Sequence, residues 1–222
     1  SDQIAELEWR DGKVPVSRRF DDPYFSLEDG LAETRHVFLA GNDLPYRFES
    51  GFHIGELGFG SGLNFLVALK TWRGSAVLGR LRFTSFEAFP MRVADMLAAL
   101  STFPDLPTDV FTTHAGAATL PSRVTGPDFD LEIVYGDAGQ TVPNWDGSVD
   151  AWFLDGFSPA KNPELWEPDL LFEVGRCTSP GGTCATYTAA GFVRRGLAAA
   201  GFEITRVPGY GRKRHMTRGI KA

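Results

Sequence analysis

The sequence has few of the residues on which metal sites and disulfide frameworks depend. Its 222 residues include two cysteines, Cys177 and Cys184, and four histidines. The two cysteines are seven positions apart, a spacing that matches neither a metal-binding pair nor a disulfide framework. The histidines are scattered and add no metal signal. We therefore expect no metal site, and a reduced, cytoplasmic protein.

Long hydrophobic runs are absent too. No apolar stretch approaches the roughly 20 residues that a membrane-spanning helix requires. The hydrophobic fraction of 43% and the charged fraction of 23% are those of a globular protein with a full hydrophobic core. We expect one domain over residues 1–222 without a membrane partner, in which residues 1–50 are an N-terminal extension and residues 51–222 are the core.

Acidic residues are missing from one segment of an otherwise acidic chain. The net charge is −6, which by itself argues mildly against a nucleic-acid partner. From residue 204 to residue 222 there is no acidic residue, and six basic ones occur: Arg206, Arg212, Lys213, Arg214, Arg218 and Lys221. Because attraction to phosphate depends on the local field, this segment is a candidate RNA-binding face. A solvated basic C-terminus is the alternative.

The most informative stretch is a glycine-rich turn. Residues 52–57 read as a buried strand, and a helical pattern follows Gly58, Gly60 and Gly62. Their G-x-G-x-G spacing differs from the G-x-G-x-x-G that seats a pyrophosphate on a helix N-terminus. Glu56 adds a carboxylate at the strand end, which suits a cationic or hydroxyl-bearing ligand and repels phosphate. The combination indicates S-adenosylmethionine; a glycine-rich turn without a ligand is the alternative.

Two further carboxylates follow predicted strands. Glu87 lies in a strand predicted over residues 81–88, about as far past the glycines as the acidic residue that binds ribose hydroxyls in nucleotide-binding βαβ units. Asp137 follows a strand over residues 129–135, where it could accept a hydrogen bond from an adenine amino group. Capping the next segment is the alternative for Asp137, and a surface position is the alternative for Glu87.

A second chemical centre follows the strand predicted over residues 148–154. Asp155 opens a loop over residues 155–163 that contains an aromatic residue and two prolines, which stiffen it. Open α/β sheets bind ligands outside the carboxyl ends of their strands, and a turn-forming aspartate is the alternative reading. The candidate cofactor-binding residues are therefore Glu56, Gly58, Gly60, Gly62, Asn64, Glu87, Asp137 and Asp155.

The remaining patterns complete a fold class. A hairpin is predicted over residues 9–16 and helices over residues 27–39, 90–100 and 169–177, the second with proline in its first turn and the third closed by Pro-Gly-Gly. A short strand is expected over residues 110–114, and an antiparallel strand pair closes the chain. The sum is α/β, a doubly wound, mostly parallel sheet of the Rossmann-like methyltransferase type, with an N-terminal extension.

One loop resembles a known family. Residues 155–166, DGFSPAKNPELW, resemble the D-G-F-[AS]-P-A-K-N-P-x-[ML]-W signature of methyltransferases that act on the wobble uridine of certain tRNAs. This family forms the methyltransferase half of bifunctional MnmC proteins and also occurs as a stand-alone enzyme. The chain resembles the stand-alone form, and an excised domain is the alternative. His215 stands where the family usually has a glutamate. Further matches cover residues 20–26, 58–65, 188–197 and 209–216.

The resemblance implies a reaction and assigns roles. A methyl group passes from S-adenosylmethionine to the exocyclic amine of 5-aminomethyl-(2-thio)uridine, giving the 5-methylaminomethyl form. Asp155 is the predicted catalytic residue, which orients the amine or takes its proton, and Tyr24 and Phe157 are expected to stack on the uracil. The implied partners are the anticodon stem-loop of tRNA and a separate FAD-dependent oxidase acting upstream. The predicted RNA contacts are Lys161, Arg212, Lys213 and Arg214.

Three other functions stay open at this point. An N-methyltransferase of a small molecule or a protein would share the cofactor loop but need no basic face. A nicotinamide-dependent oxidoreductase is disfavoured by the glycine spacing and by Glu56. A non-catalytic tRNA-binding subunit would keep the methyltransferase fold without needing Asp155.

Overall fold

Within residues 3–26 and 29–222, which the computed structural model describes, the chain forms an eight-stranded sheet and a smaller three-stranded one. The strands are β1 (Leu7–Arg10), β2 (Val14–Ser17), β3 (Asp22–Pro23), β4 (His53–Leu57), β5 (Leu81–Glu87), β6 (Arg123–Thr125), β7 (Phe129–Tyr135), β8 (Val149–Leu154), β9 (Thr178–Thr186), β10 (Phe202–Pro208) and β11 (His215–Lys221). The α-helices are α1 (Gly30–Thr34), α2 (Leu63–Gly74), α3 (Val93–Leu100), α4 (Asp109–Thr112), α5 (Ala138–Thr141), α6 (Pro168–Arg176) and α7 (Gly191–Ala199).

The strand order places a topological switch at the centre of the large sheet. The order is β10-β11-β9-β8-β4-β5-β7-β6, with β4, β5, β7, β8 and β9 parallel. The chain runs outward from β4 to β5 and β7, then returns to β8 on the other side of β4. This confirms the predicted doubly wound, mostly parallel sheet, and β10 and β11 form the predicted antiparallel pair. Such a reversal is where open α/β sheets bind ligands.

Apolar side chains cover both faces of this sheet. On β5, Phe83 belongs to one apolar cluster and Phe86 to the other, because residues three apart on a strand point to opposite faces. Helices α2 and α3 contribute to the first cluster, and α6 and α7 contribute to the second. The central strands are therefore buried on both faces, which gives the loops at their carboxyl ends a rigid support.

The N-terminal hairpin forms as predicted. Strands β1 and β2 pair antiparallel, and Asp11 and Gly12 between them have φ angles of 53° and 66°. The Lys13 N–H donates to the Arg10 carbonyl at 3.0 Å and closes a turn whose two central residues both have positive φ, which matches the twist of the strands. The extension then contacts the loop after β8, because the Asp22 carboxylate accepts a hydrogen bond from the Ser158 backbone N–H at 2.9 Å.

Of two other predicted helices, one lies partly outside the described residues and one starts later than expected. The helix predicted over residues 27–39 is present from Gly30 onward, while residues 27 and 28 lie outside the described residues. The helix predicted over residues 90–100 begins at Val93, so the proline is not in its first turn. The carbonyl of this proline, Pro90, instead accepts a hydrogen bond from a backbone N–H of the N-terminal extension.

Two further predictions are wrong. Residues 110–114 do not form a strand: they fall largely in α4, where the fully buried Phe111 anchors a single helical turn and packing overrides β-prone residues. The Pro-Gly-Gly at residues 180–182 does not close a helix but lies inside β9, where the pairing with β8 shifts register. The indole N–H of Trp152 donates to Thr178 at 2.9 Å, which holds the start of β9 on the sheet.

Candidate active site

A cavity of about 440 Å³ lies at the carboxyl ends of the parallel strands. It is lined both by the glycine turn after β4 and by the loop after β8, the two places that the sequence predicts to share one crevice. Its volume is within the range of small-molecule sites. Of the described residues with a predicted role, nine line it: Tyr24, Gly58, Gly60, Asn64, Glu87, Asp137, Asp155, Phe157 and Lys213. Glu56, Gly62, Lys161, Arg212 and Arg214 do not.

Glycine is required in the turn for two separate reasons. Gly58 has a φ of +86°, which L-residues other than glycine rarely adopt. A Cβ at Gly58 would also lie 3.0 Å from the Cα of Gly156, and one at Gly60 would lie 3.0 Å from the ring of Tyr24. The absence of side chains thus lets the turn approach both the loop after β8 and the N-terminal extension.

Asn64 joins two carboxylates at the base of the cavity. Its side-chain N–H groups donate to Glu56 at 2.9 Å and to Asp155 at 2.7 Å, and its carbonyl accepts from the Thr34 hydroxyl at 2.9 Å. Glu56 is fully buried and also accepts a hydrogen bond from Ser85 at 2.7 Å. Burial raises the pKa of Glu56 well above its ordinary value. Glu56 therefore lies beneath the cavity wall, where it fixes Asn64.

Asp155 has the electrostatic setting of a proton acceptor. Its pKa is raised to about 7, mainly by burial; the hydrogen bond from Asn64 opposes this rise and the nearby Glu33 adds to it. A carboxyl group with a pKa near neutrality is populated in both protonation states at physiological pH. Perturbed acids of this kind are concentrated at catalytic sites, so Asp155 is the strongest candidate for a chemical role.

Two more carboxylates of the wall are held by backbone N–H groups. Glu87 accepts from Gly60 at 2.9 Å through one oxygen and from Phe89 at 3.1 Å through the other, and burial raises its pKa. Each of these oxygens has a second lone pair that can accept from a hydroxyl group. Asp137 accepts from the N–H of Gly139 at 3.0 Å and caps α5. It has the capping role foreseen as an alternative, and it also faces the cavity.

Aromatic rings line the cavity beside the loop after β8. The Phe157 ring lies 5.0 Å from that of Tyr24, edge to face, and 5.0 Å from that of Phe20, stacked. Phe89 meets Phe20 edge to face at 5.7 Å. Sequence reasoning singled out Tyr24 and Phe157 but assigned no role to Phe20 or Phe89. Phe20 begins the segment 20–26 that also matches the family, so that match carried the signal.

The four predicted RNA contacts are not in one place. Lys213 lies on the cavity wall, with its ammonium 3.8 Å from the centre of the Tyr187 ring. Arg212 and Arg214 are exposed on the loop between β10 and β11. Lys161 is at the surface, 3.3 Å from the carboxylate of Asp21. The structure thus separates one cation that faces the cavity from three outside it.

Glu33 and Tyr187 line the cavity without having been predicted. The Tyr187 hydroxyl donates to the Gly156 carbonyl at 2.9 Å. Tyr187 directly follows β9, so the rule that places ligands at strand ends would have found it. Glu33 belongs to α1, and nothing in its local sequence connects that helix with the site.

The wall is strongly acidic. Of the described residues that line it, six are acidic and one is basic: Asp22, Glu33, Glu87, Asp137, Asp155 and Glu164 against Lys213. Such a wall attracts cationic groups and repels phosphates. It therefore fits the ammonium, sulfonium and hydroxyl groups of S-adenosylmethionine, and it disfavours the pyrophosphate of a nicotinamide dinucleotide.

Two kinds of feature are not found in the described residues. No group of three or more His, Cys, Asp or Glu side chains there could hold a metal ion. No helix in that part of the chain has the length and apolarity that crossing a bilayer requires. Cys177 and Cys184 are free, buried thiols whose pKa values are raised by burial, which makes them poor nucleophiles at neutral pH.

Comparison with known proteins places this geometry in context. A protein family described as S-adenosyl-L-methionine-dependent methyltransferase matches residues 101–222. The tRNA 5-methylaminomethyl-2-thiouridine biosynthesis bifunctional protein MnmC of Stutzerimonas stutzeri is 46% identical over 98% of this chain and 34% of its own length. Its namesake from Pseudomonas aeruginosa is also 46% identical, over 98% of this chain and 35% of its own length. The chain thus spans about a third of the length of these relatives.

Solved structures show the same fold. MNMC2 from Aquifex aeolicus has 25% sequence identity and a TM-score of 0.78, over 99% of this chain and 71% of that one. TrmN from Thermus thermophilus has 17% identity and a TM-score of 0.51, over 82% of this chain and 47% of that one. The second likeness bears on the fold alone.

Proposed function

Because the chain belongs to the S-adenosyl-L-methionine-dependent methyltransferases, we propose that it methylates the exocyclic amine of 5-aminomethyl-(2-thio)uridine at the tRNA wobble position. The family confirms the enzyme class and the methyl donor that the glycine turn predicts. The relatives confirm the resemblance to MnmC proteins, and their name supports the choice of substrate. The observation that carries the proposal is Asp155, with a pKa of about 7, on the same acidic wall as the glycine turn.

The predicted cofactor contacts become proposals with a stated geometry. We place the ribose hydroxyls at Glu87, whose two oxygens are already oriented by backbone N–H groups, and the adenine amino group at Asp137. Gly58 and Gly60 let the donor approach the backbone, and the Asn64 carbonyl, which accepts from Thr34, has a second lone pair for a hydrogen-bond donor of the ligand. Bound there, S-adenosylmethionine supplies a methyl carbon to which the amine nitrogen bonds as the carbon–sulfur bond breaks and its electron pair goes to sulfur.

The acceptor amine must present a lone pair. An alkylammonium has a pKa of about 10, so it must lose a proton before or during the transfer. The Asp155 carboxylate, held by the hydrogen bond from Asn64, is placed to accept that proton or to orient the free amine. Alignment of two reacting atoms can by itself lower a barrier by several kcal/mol. We therefore assign Asp155 as the catalytic residue.

The uracil ring is proposed to lie against Tyr24 and Phe157. Stacking of a base on aromatic side chains contributes about 1–3 kcal/mol per base. Tyr24 comes from the N-terminal extension and Phe157 from the loop after β8, and their rings are 5.0 Å apart. Because the extension supplies part of this wall, we treat residues 1–222 as one methyltransferase domain.

Replacing Arg212 and Arg214 by glutamine should raise the KM for tRNA. We propose that both bind phosphates of the anticodon stem-loop, with Lys161 at a neighbouring phosphate. Removal of one such cation should lower the slope of log KM against log salt by roughly 0.7–0.9. Salt-dependent kinetics measure this, and Lys70→Gln, which removes an exposed cation from α2, serves as the control. An unchanged KM and slope would favour a small-molecule or protein acceptor.

Mass spectrometry of tRNA nucleosides tests the function. The protein is incubated with methyl donor and tRNA that carries 5-aminomethyluridine, and we expect that nucleoside to gain one methyl group. Asp155→Asn is the matched control. No gain on any nucleoside, with the donor still bound by the protein, would contradict the tRNA assignment. An FAD-dependent oxidase acting upstream is the proposed source of the amine, and the cytoplasm the proposed compartment.

A further inference from the structure

The cavity wall carries a cation that belongs to the protein itself. Lys213, on the loop between β10 and β11, places its ammonium 3.8 Å from the centre of the Tyr187 ring. This is the geometry of a cation over the negative face of an aromatic ring. Lys213 is the one basic residue among the described residues that line the cavity. Lys213 is exposed, as Arg212 and Arg214 are, but its ammonium lies over a ring of the cavity wall.

Two carboxylates lie within electrostatic reach of this ammonium. Glu33 and Asp155 both line the cavity. Burial raises the pKa of Glu33 and the Lys213 ammonium opposes that rise; the same ammonium also lowers the pKa of Asp155. Interactions that change a pKa in this way require the charges to be near one another. The ammonium therefore contacts one ring face and lies near two acids.

The ring that supports the ammonium is held in place. The Tyr187 hydroxyl donates to the Gly156 carbonyl at 2.9 Å, which fixes the ring beside the catalytic loop. Trp166 meets the same ring edge to face at 6.3 Å. Burial raises the pKa of Tyr187 well above its ordinary value, so the phenol stays neutral. A neutral ring held in a fixed position next to Asp155 presents the same face to each cation that binds there.

We propose that Glu33, Tyr187 and Asp155 form a recognition site for a CH2–NH3+ group, which Lys213 occupies until the acceptor's aminomethyl group displaces it. The end of a lysine side chain and an aminomethyl substituent are the same chemical group, so a site that holds one holds the other. Glu33 and Tyr187 are then specificity-determining residues that bind the ammonium before it is deprotonated. The identity of the acceptor rests on the proposed function; the site for an alkylammonium does not.

The two possible roles of Lys213 predict different effects of Lys213→Met on the binding of small amines. If Lys213 binds a phosphate of the tRNA, Lys213→Met leaves the affinity for small amine ligands unchanged, because these ligands carry no phosphate. If Lys213 occupies the ammonium site, Lys213→Met removes a competitor and strengthens binding of small amine ligands. A gain in affinity for an amine without phosphate therefore separates the two roles, and methionine keeps the apolar stem of the side chain.

Calorimetry with nucleosides tests the site without turnover. The probes are 5-aminomethyluridine, its neutral analogue 5-hydroxymethyluridine, and propylamine, each titrated into the protein in the presence of S-adenosylhomocysteine. For 5-aminomethyluridine we expect about tenfold weaker binding in Glu33→Gln and Tyr187→Leu, and severalfold tighter binding in Lys213→Met. Tyr187→Phe keeps the ring and should retain most of the affinity. The affinity for 5-hydroxymethyluridine should change less than about threefold in Glu33→Gln and Lys213→Met.

The outcomes separate this site from the tRNA assignment. Unchanged or weaker binding of amines in Lys213→Met, equal losses for both nucleosides in Glu33→Gln, or no amine binding by any variant would overturn the site. Variants must bind S-adenosylhomocysteine as the parent protein does, which excludes misfolding. If propylamine binds as described but tRNA gains no methyl group, the ammonium site stands and the tRNA assignment fails. If tRNA is methylated and Glu33→Gln has no effect on amine binding, the reverse holds.

Discussion

Asp155→Asn is expected to lower the rate constant for methyl transfer by a factor of about 10²–10⁴ while the protein still binds S-adenosylmethionine. An amide cannot take a proton from an ammonium group. Its carbonyl oxygen can still accept the hydrogen bond that Asn64 now donates at 2.7 Å, so the wall should keep its shape. Single-turnover kinetics with tRNA measure the rate, and calorimetry with the donor measures binding.

The dependence of kcat/KM on pH should report the same residue. Burial raises the pKa of Asp155 to about 7, and the carboxylate form is the active one, so kcat/KM should rise with pH and change slope near pH 7. If Asp155 takes a proton from a bound ammonium, kcat/KM should be level from about pH 7 to about pH 10, the pKa of the amine. If it only orients a free amine, kcat/KM should continue to rise about tenfold per pH unit over that range.

Asp137→Asn provides a matched control for both experiments. It makes the same chemical change at another carboxylate of the cavity wall, one proposed to contact the donor. We expect weaker donor binding and a single-turnover rate within about threefold of the parent protein once the donor is saturating. A change of slope near pH 7 that persists in Asp155→Asn would assign the titration to another group. A full rate in Asp155→Asn would remove its catalytic role.

Much of the candidate site could be predicted because parallel strands end at a common edge. Glu87, Asp137 and Asp155 each lie at or just past the end of a predicted strand, and the structure brings them around one cavity. This inference needed only the positions of strands and their direction, both of which follow from local apolar patterns. How deeply each side chain is buried could not be predicted from local patterns alone.

Glu56 illustrates that limit. Its strand is buried on both faces, so the apolar pattern does not say which way its carboxylate points. The register with β5 sets Glu56 beside Ser85, and the first turn of α2 brings Asn64 over it. Register between strands is a long-range property, and no single stretch of sequence encodes it.

The residues that sequence reasoning missed come from segments folded over the sheet edge. Glu33 and Phe20 reach the cavity because the N-terminal extension contacts the loop after β8 through Asp22. Lys213 reaches it from the loop between β10 and β11. Such placements depend on how segments far apart in sequence pack together, which composition and periodicity do not specify.

Gly58→Ala is expected to weaken the binding of S-adenosylmethionine by at least about tenfold and to slow methyl transfer as well. An alanine at a φ of +86° costs about 1–2 kcal/mol in backbone strain. Its Cβ would also lie 3.0 Å from the Cα of Gly156, so the two loops must separate. Because Gly156 follows Asp155, the catalytic carboxylate would move with it, and a shift of about 1 Å can cost about 10²-fold in rate.

Alanine substitutions at two other glycines distinguish the effect of backbone strain from that of steric crowding by a neighbouring loop. Gly51 has a φ of +77°, and no atom lies within 4 Å of the position that an alanine methyl group would take there; Gly116 has open space and no positive φ. Gly51→Ala should lower the free energy of unfolding by about 1–2 kcal/mol with donor affinity unchanged, and Gly116→Ala should change neither. Calorimetry and thermal unfolding measure the two quantities. Equal losses of donor affinity in Gly51→Ala and Gly58→Ala would mean that global strain weakens binding. The close approach of Gly58 to Gly156 would then have no specific role in binding the donor.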